Sequence, residues 1–311
     1  MLGEVAITPS VFEETSYSEP ATGPVYLQML KEPLLQEVLV RNLHDGEWYQ
    51  SLLAVRDNLS PTAKELLKKL QTQGRLRQVA SCGSTVPSND VAWCQEALAS
   101  HARDPLKCVI TSPTTKEAFS SESRAASMEK LTSHAWWSAR SPSLRLRRTT
   151  EDYLLRLNLV LRHANSLMFI DPHLDPTKPQ YQEFFHLLAR CNRPVVTPLV
   201  EIHRVCYFGS GPGREIISDV DWEKRFQEGL GAHLPGFSFP LEVFIWDDFH
   251  DRFLITNLMG ISLPNGFDVD STPDSITTWT RLGRDNRDDV QREFDPALMR
   301  HALRHRFRLQ P

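Results

Sequence analysis

His250 and Arg252 stand two residues apart, a spacing that turns both side chains to one face of an extended segment. An imidazole beside a guanidinium suits an anionic phosphate. The guanidinium neutralises and orients the phosphoryl oxygens, and the imidazole attacks phosphorus or moves protons. Asp251, between them, points the other way. Two more groups of chemistry-bearing residues lie in or just after apolar runs: Asp171 and His173 follow SLMFI at 166–170, and Glu201 and His203 lie in the run that ends at Val205. In an open α/β sheet, ligands bind in the crevice beyond the carboxyl ends of the strands. Asp171, His173, Glu201, Asn257 and Asn265 are therefore candidate substrate-binding residues. His250, Arg252 and His203 are candidate catalytic residues, and His173 is an alternative second imidazole.

Each candidate has a plainer account. Arg252 has Asp247, Asp248 and Asp251 nearby as ion-pair partners, and Glu201 has Arg204 or Arg252. A histidine inside an apolar strand, such as His203, is more often structural than catalytic. Pro264-Asn265-Gly266 is a strong turn signal in its own right. The run Gly209-Ser210-Gly211-Pro212-Gly213 looks like a phosphate cradle, but Pro212 removes a donor N–H and no Lys-Ser/Thr follows, so it is rejected as a nucleotide motif.

Periodicity supplies the elements that must hold these residues. Residues 37–43 (EVLVRNL) read as a strand, followed by a helix around Trp48 and Leu52. Ser60 caps a helix that starts at Pro61, buries Leu66, Leu67 and Leu70, and ends at Gly74. A helix over 91–102 and a strand over 108–111 continue the alternation, and the first thirty residues read as an irregular lead-in. The Arg-rich stretch 140–148 (RSPSLRLRR) is placed as a linker between two domains, 1–145 and 149–311. Thr149 then caps a helix with Tyr153, Leu157, Val160, Leu161 and Ala164 on one face. Strands follow at 166–170, 194–205, 241–246, 252–256 and 260–263, with helices around Tyr181–Leu188 and Trp222–Leu230. This order argues for an α/β fold: one mixed sheet sandwiched by helices in the C-terminal half, with parallel crossovers first and antiparallel strands last, beside an additional α/β region N-terminal to it.

The 311 residues are 41% hydrophobic and 24% charged, as in a globular protein. A net charge of −4 gives no general attraction to polyanions, so any nucleic-acid binding needs a local basic patch. The five cysteines are scattered with no C-x-x-C pair, which suggests neither a zinc site nor a disulfide framework. No metal or cofactor is expected. No apolar stretch is long enough to span a bilayer, and the cytoplasm is the expected location. Arg-rich stretches at 140–148 and 300–308 bracket the C-terminal half. The second is either a track for a phosphate backbone or the polar face of a terminal helix.

The segment 246–268 (WDDFHDRFLITNLMGISLPNGFD) resembles the H-x-K-x(4)-D region of the phospholipase D superfamily. It is most similar to divergent single-motif members with H-D-R, such as the phospholipase D-like domain that follows MIT domains. Asp171-Pro172-His173 is similar to the Asp-Pro-Tyr segment that opens such domains. The resemblance covers roughly 149–311. It implies that His250 is a nucleophile forming a phospho-enzyme, that Arg252 replaces the phosphate-binding lysine, and that Asn257 stands where the motif has aspartate. It also implies a metal-independent phosphodiesterase, with nucleic acid as the preferred substrate. One copy of the motif implies either a homodimer that brings two histidines together or His203 or His173 as the second. The alternative is a catalytically degenerate module that binds phosphate or nucleic acid. A third reading is a component of a multiprotein system such as a prokaryotic defence operon, with the N-terminal half binding a protein partner.

Overall fold

The computed structural model describes every residue except Pro194, Val195, Ser210, Ser271 and Pro273. The chain divides into two compact units, Leu2–Ser141 and Pro142–Pro311. Among the described residues no helix is long and apolar enough to cross a membrane.

The N-terminal unit runs β1 (Gly3–Ile7), α1 (Thr22–Gln36), β2 (Val38–Asn42), α2 (Glu47–Ala54), α3 (Pro61–Thr72), β3 (Leu76–Gln78), α4 (Asp90–Arg103), β4 (Cys108–Thr111), α5 (Pro113–Ala118), β5 (Ala125–Ser127) and α6 (Ala135–Ser138). Its five strands form one parallel sheet in the order β3-β2-β1-β4-β5. The first thirty residues are thus no irregular lead-in, because β1 is the central strand and is buried along its whole length. Its one charged side chain, Glu4, is held by the buried Arg41 at 3.0 Å. The α3 cap is as the sequence reads: Ser60 Oγ accepts from Ala63 N at 3.2 Å.

The C-terminal unit runs β6 (Ser143–Arg147), α7 (Thr150–His163), β7 (Ser166–Ile170), α8 (Phe185–Ala189), β8 (Leu199–Val205), β9 (Tyr207–Phe208), β10 (Glu215–Ile216), α9 (Asp219–Leu230), β11 (Leu241–Trp246), β12 (Phe253–Thr256), β13 (Gly260–Ser262), β14 (Ile276–Arg281), α10 (Arg284–Glu293) and β15 (Leu303–Leu309). Eight of its strands make one mixed sheet in the order β15-β11-β8-β7-β12-β13-β14-β6. β7, β8 and β11 are parallel, and each remaining strand runs antiparallel to its neighbours. α7 buries Tyr153, Leu157, Val160 and Leu161, and Thr149 Oγ1 caps it by accepting from Asp152 N at 3.3 Å.

Several boundaries differ from expectation. The Arg-rich linker is the edge strand β6, and the units divide between Ser141 and Pro142. The basic C-terminal stretch is not a helix but the opposite edge strand, β15. The strand expected over 194–205 starts at Leu199, and its first two residues lie outside the described ones, as does Ser210 of the rejected glycine-rich loop. β12 begins at Phe253, so His250, Asp251 and Arg252 occupy the irregular segment that leads into it.

Candidate functional site

Because β12 runs antiparallel to β7, the start of one meets the end of the other, with Phe253 opposite Ile170. Arg252 and the residues before it therefore arrive at the same sheet end as Asp171-Pro172-His173. Asp171 organises this end. It is fully buried and accepts hydrogen bonds from His173 N (2.9 Å), Phe267 N (3.0 Å) and Tyr181 Oη (3.1 Å). Arg252 Nε lies 3.8 Å from it. With these positions filled, Asp171 orients the groups around it and touches no substrate, contrary to the expectation that it binds one. Burial raises its carboxyl above the usual carboxylate range, against the pull of those donors and of Arg252. Asn265 lies in the turn that packs here. The next residue, Gly266, has φ +70°, and a Cβ on it would collide with the Asp171 carboxylate, so only glycine fits.

Arg252 and Arg204 bring two guanidiniums to this end, beside the carboxylates of Asp171 and Asp268. His173 is solvent-exposed, yet its imidazole is held below the ordinary histidine pKa, first by desolvation and then by the nearby charges of Arg252 and Arg204. Sequence reasoning assigned no site role to Arg204. It is fully buried, donates to the carbonyls of Val205 (2.6 Å), Leu174 (3.0 Å) and Tyr207 (3.1 Å), and lies 3.3 Å from the Trp222 ring centroid. Burial pulls its pKa down to about 9, so it keeps its proton at neutral pH. The available sequence signal was an arginine inside the apolar run of β8. Arg148 and Asp268 close one side as a pair at 2.6 Å, and burial raises the Asp268 carboxyl. His250 is exposed, and its ring makes no hydrogen bond to the described residues. Arg252 Nη1 donates to the His250 carbonyl at 3.3 Å.

The other candidates lie elsewhere. His203 alternates with Arg204 along β8 and so faces the opposite side of the sheet. It is only 1% exposed, stacks on Phe244 with ring centroids 4.7 Å apart, and accepts from Trp246 Nε1 through Nδ1 at 3.1 Å. Walled in this way, it cannot reach a phosphoryl group beside His250, and its expected catalytic role is withdrawn. Glu201 shares that face and lies 3.5 Å from His203 Nε2, so it pairs with neither Arg204 nor Arg252 and belongs to no site near His250. Asn257 sits past the far end of β12, about 17 Å along the strand from Arg252. There its Oδ1 accepts from Asn165 N at 2.7 Å and Ser166 N at 3.4 Å, fixing the start of β7. Its role there is structural, contrary to the expectation that it binds substrate. Of the expected partners of Arg252, Asp247 pairs with Arg304 and Asp248 with Arg214.

Both Arg-rich stretches are largely neutralised. Arg147 pairs with Asp152 at 3.1 Å, Arg140 with Glu37 at 2.7 Å, Arg300 with Asp289 at 2.8 Å, and Arg306 and Arg308 both with Glu242. Among the described residues, no three His, Cys, Asp or Glu side chains are grouped to hold a metal ion.

No family model matches this chain. No curated protein matches it either. Among solved structures it is similar to TrmBL2, described as an archaeal chromatin protein that shows a novel mode of DNA binding. The identity is 12%, over 90% of this chain and 99% of that one, with a TM-score of 0.29. A likeness at that score carries no argument.

Proposed function

We propose that the C-terminal unit is a phospholipase D-like, metal-independent phosphodiesterase whose site is His250, His173 and Arg252. The observation that carries this reading is their meeting at one sheet end, near enough for the charges of Arg252 and His250 to act on His173, with Arg252 held beside the buried Asp171. His250 Nε2 attacks phosphorus while the P–O bond to the leaving group breaks, and protonated His173 gives that oxygen its proton. Water then attacks the phosphohistidine, now-neutral His173 takes its proton, and the P–N bond breaks. A depressed pKa suits His173 to the second step, where its lone pair must be free. Arg252 holds the phosphoryl oxygens through both steps, and the buried Arg204 charge adds to the field. With the Arg-rich strands neutralised, nucleic acid is a substrate through its phosphodiester rather than through an extended basic track.

The degenerate reading, a module that binds phosphate or nucleic acid without turnover, has one observation in its favour. Nothing among the described residues orients the His250 ring by a hydrogen bond. One experiment separates the two. In EDTA, the protein is incubated with bis(p-nitrophenyl) phosphate and with single-stranded DNA and RNA. Turnover that His250→Ala abolishes and His173→Gln slows by about 10²–10⁴-fold supports the enzyme. No cleavage, with binding that weakens steeply with salt, supports the module.

A further inference from the structure

We infer that a cleft on the His203 face of the C-terminal sheet binds a small organic cation, a primary ammonium carried on an apolar body. The cleft lies toward the opposite strand ends from His250 and is independent of the phosphodiesterase reading. Its volume is about 540 Å³, within the range of small-ligand sites. Its existence follows from the sequence of α10. RDNRDDVQRE is polar except for Val290 and buries no residue, so the helix lies over the sheet without filling the space beneath it. The floor left open is apolar, formed by Met168, Ile255 and Phe244.

Glu201 supplies the chemistry. It projects from β8 into this cleft with its side chain only 17% exposed, and no Lys or Arg among the described residues pairs with it. Its register neighbour on β11 is Glu242, and the two guanidiniums nearest by sheet order, Arg306 and Arg308, are both spent on Glu242. The other acids on the wall have partners: Asp288 pairs with Arg287 at 2.6 Å, and Asp295 accepts from Ala297 N at 2.9 Å. Arg292 lines the exposed rim without pairing with Glu201. The group beside Glu201 is His203, whose ring proton lies on Nε2 because Nδ1 accepts from Trp246; that nitrogen stands 3.5 Å from the carboxylate, at the limit of hydrogen-bond reach. Burial disfavours the charged form of that imidazole, so it does not cancel the carboxylate. A mostly buried carboxylate beside an apolar floor, with that one long contact to a neutral imidazole, is incompletely compensated. An ammonium on the carboxylate, with its hydrocarbon over Met168 and Phe244, completes it.

The test is calorimetric titration of the full-length protein with phenethylamine, and with 2-phenylethanol as its neutral isostere. The amine is expected to saturate one site and to bind at least about tenfold more tightly than the alcohol, with Glu201→Gln erasing the difference. Equal binding of amine and alcohol, absence of saturable amine binding, or a preference that survives in Glu201→Gln overturns the proposal. Circular dichroism checks that the variant is folded. Should it not fold, the wild-type comparison and a Ser166→Trp variant, which fills the cleft at its rim, decide the question in the same way.

Discussion

Desolvation holds the imidazoles of His173 and His203 below the ordinary histidine pKa of about 6.5. The unfolded chain therefore binds protons in mild acid that the folded chain refuses. The stability tied to these groups is present above pH 6.5 and is lost as pH falls below it toward the depressed folded values. Urea melts at pH 7 and pH 5.5 should show this decline, and a His203→Gln variant should show a shallower one. An equal slope in both proteins would place the acid sensitivity elsewhere. The same two residues show how far single positions were legible. His173 was readable because a Pro-flanked turn after an apolar strand puts its side chain at a strand end. His203 misled because an imidazole looks alike in either setting, and only the neighbouring strand reveals that Phe244 and Trp246 enclose it. Arg204 was missed because its partners are backbone carbonyls, which have no sequence signature.

At the scale of elements, the β13–β14 connection is what completes the candidate site. Leu263 N donates to the Arg252 carbonyl at 2.9 Å, Gly266 N to Leu263 O at 2.8 Å, and Phe267 N to Asp171. Gly266→Ala should cost at least about 1–3 kcal/mol, through strain at a positive φ and collision with Asp171. Any phosphate affinity or turnover should fall with it, even under conditions where the rest of the unit stays folded. A chemical-denaturation curve and a phosphate titration on the variant check both. The elements that were legible, such as α3, α7, β7 and β11, have a clear apolar period together with a cap or a turn at their ends. The two edge strands were not, although LRLR in β6 and LRHRFRL in β15 alternate with period two. Dense positive charge suggested linker and helix, whereas each arginine on the open face of β15 meets an acid. β1 was hidden because GEVAI is short and is followed by Ser-, Thr- and Pro-rich chain.

At the scale of the molecule, the two units solve the sheet problem differently. The first is wholly parallel with helical crossovers, and the second is mixed, with antiparallel strands at both margins. The α/β class and the succession of the central strands along the chain were readable because helix and strand periods alternate. The strand at each margin was not, since pairing partners distant in sequence leave no local trace. β15 carries Arg304, Arg306 and Arg308 along one side of an open margin, where unpaired backbone groups could template another chain. All three are ion-paired, to Asp247 or Glu242, and an incoming strand would have to strip water from those charged side chains, which disfavours edge-to-edge pairing. Replacing Arg306 and Arg308 by Thr, with Glu242→Gln to leave no stranded charge, should make light scattering climb with protein concentration and with time, while the parent stays clear.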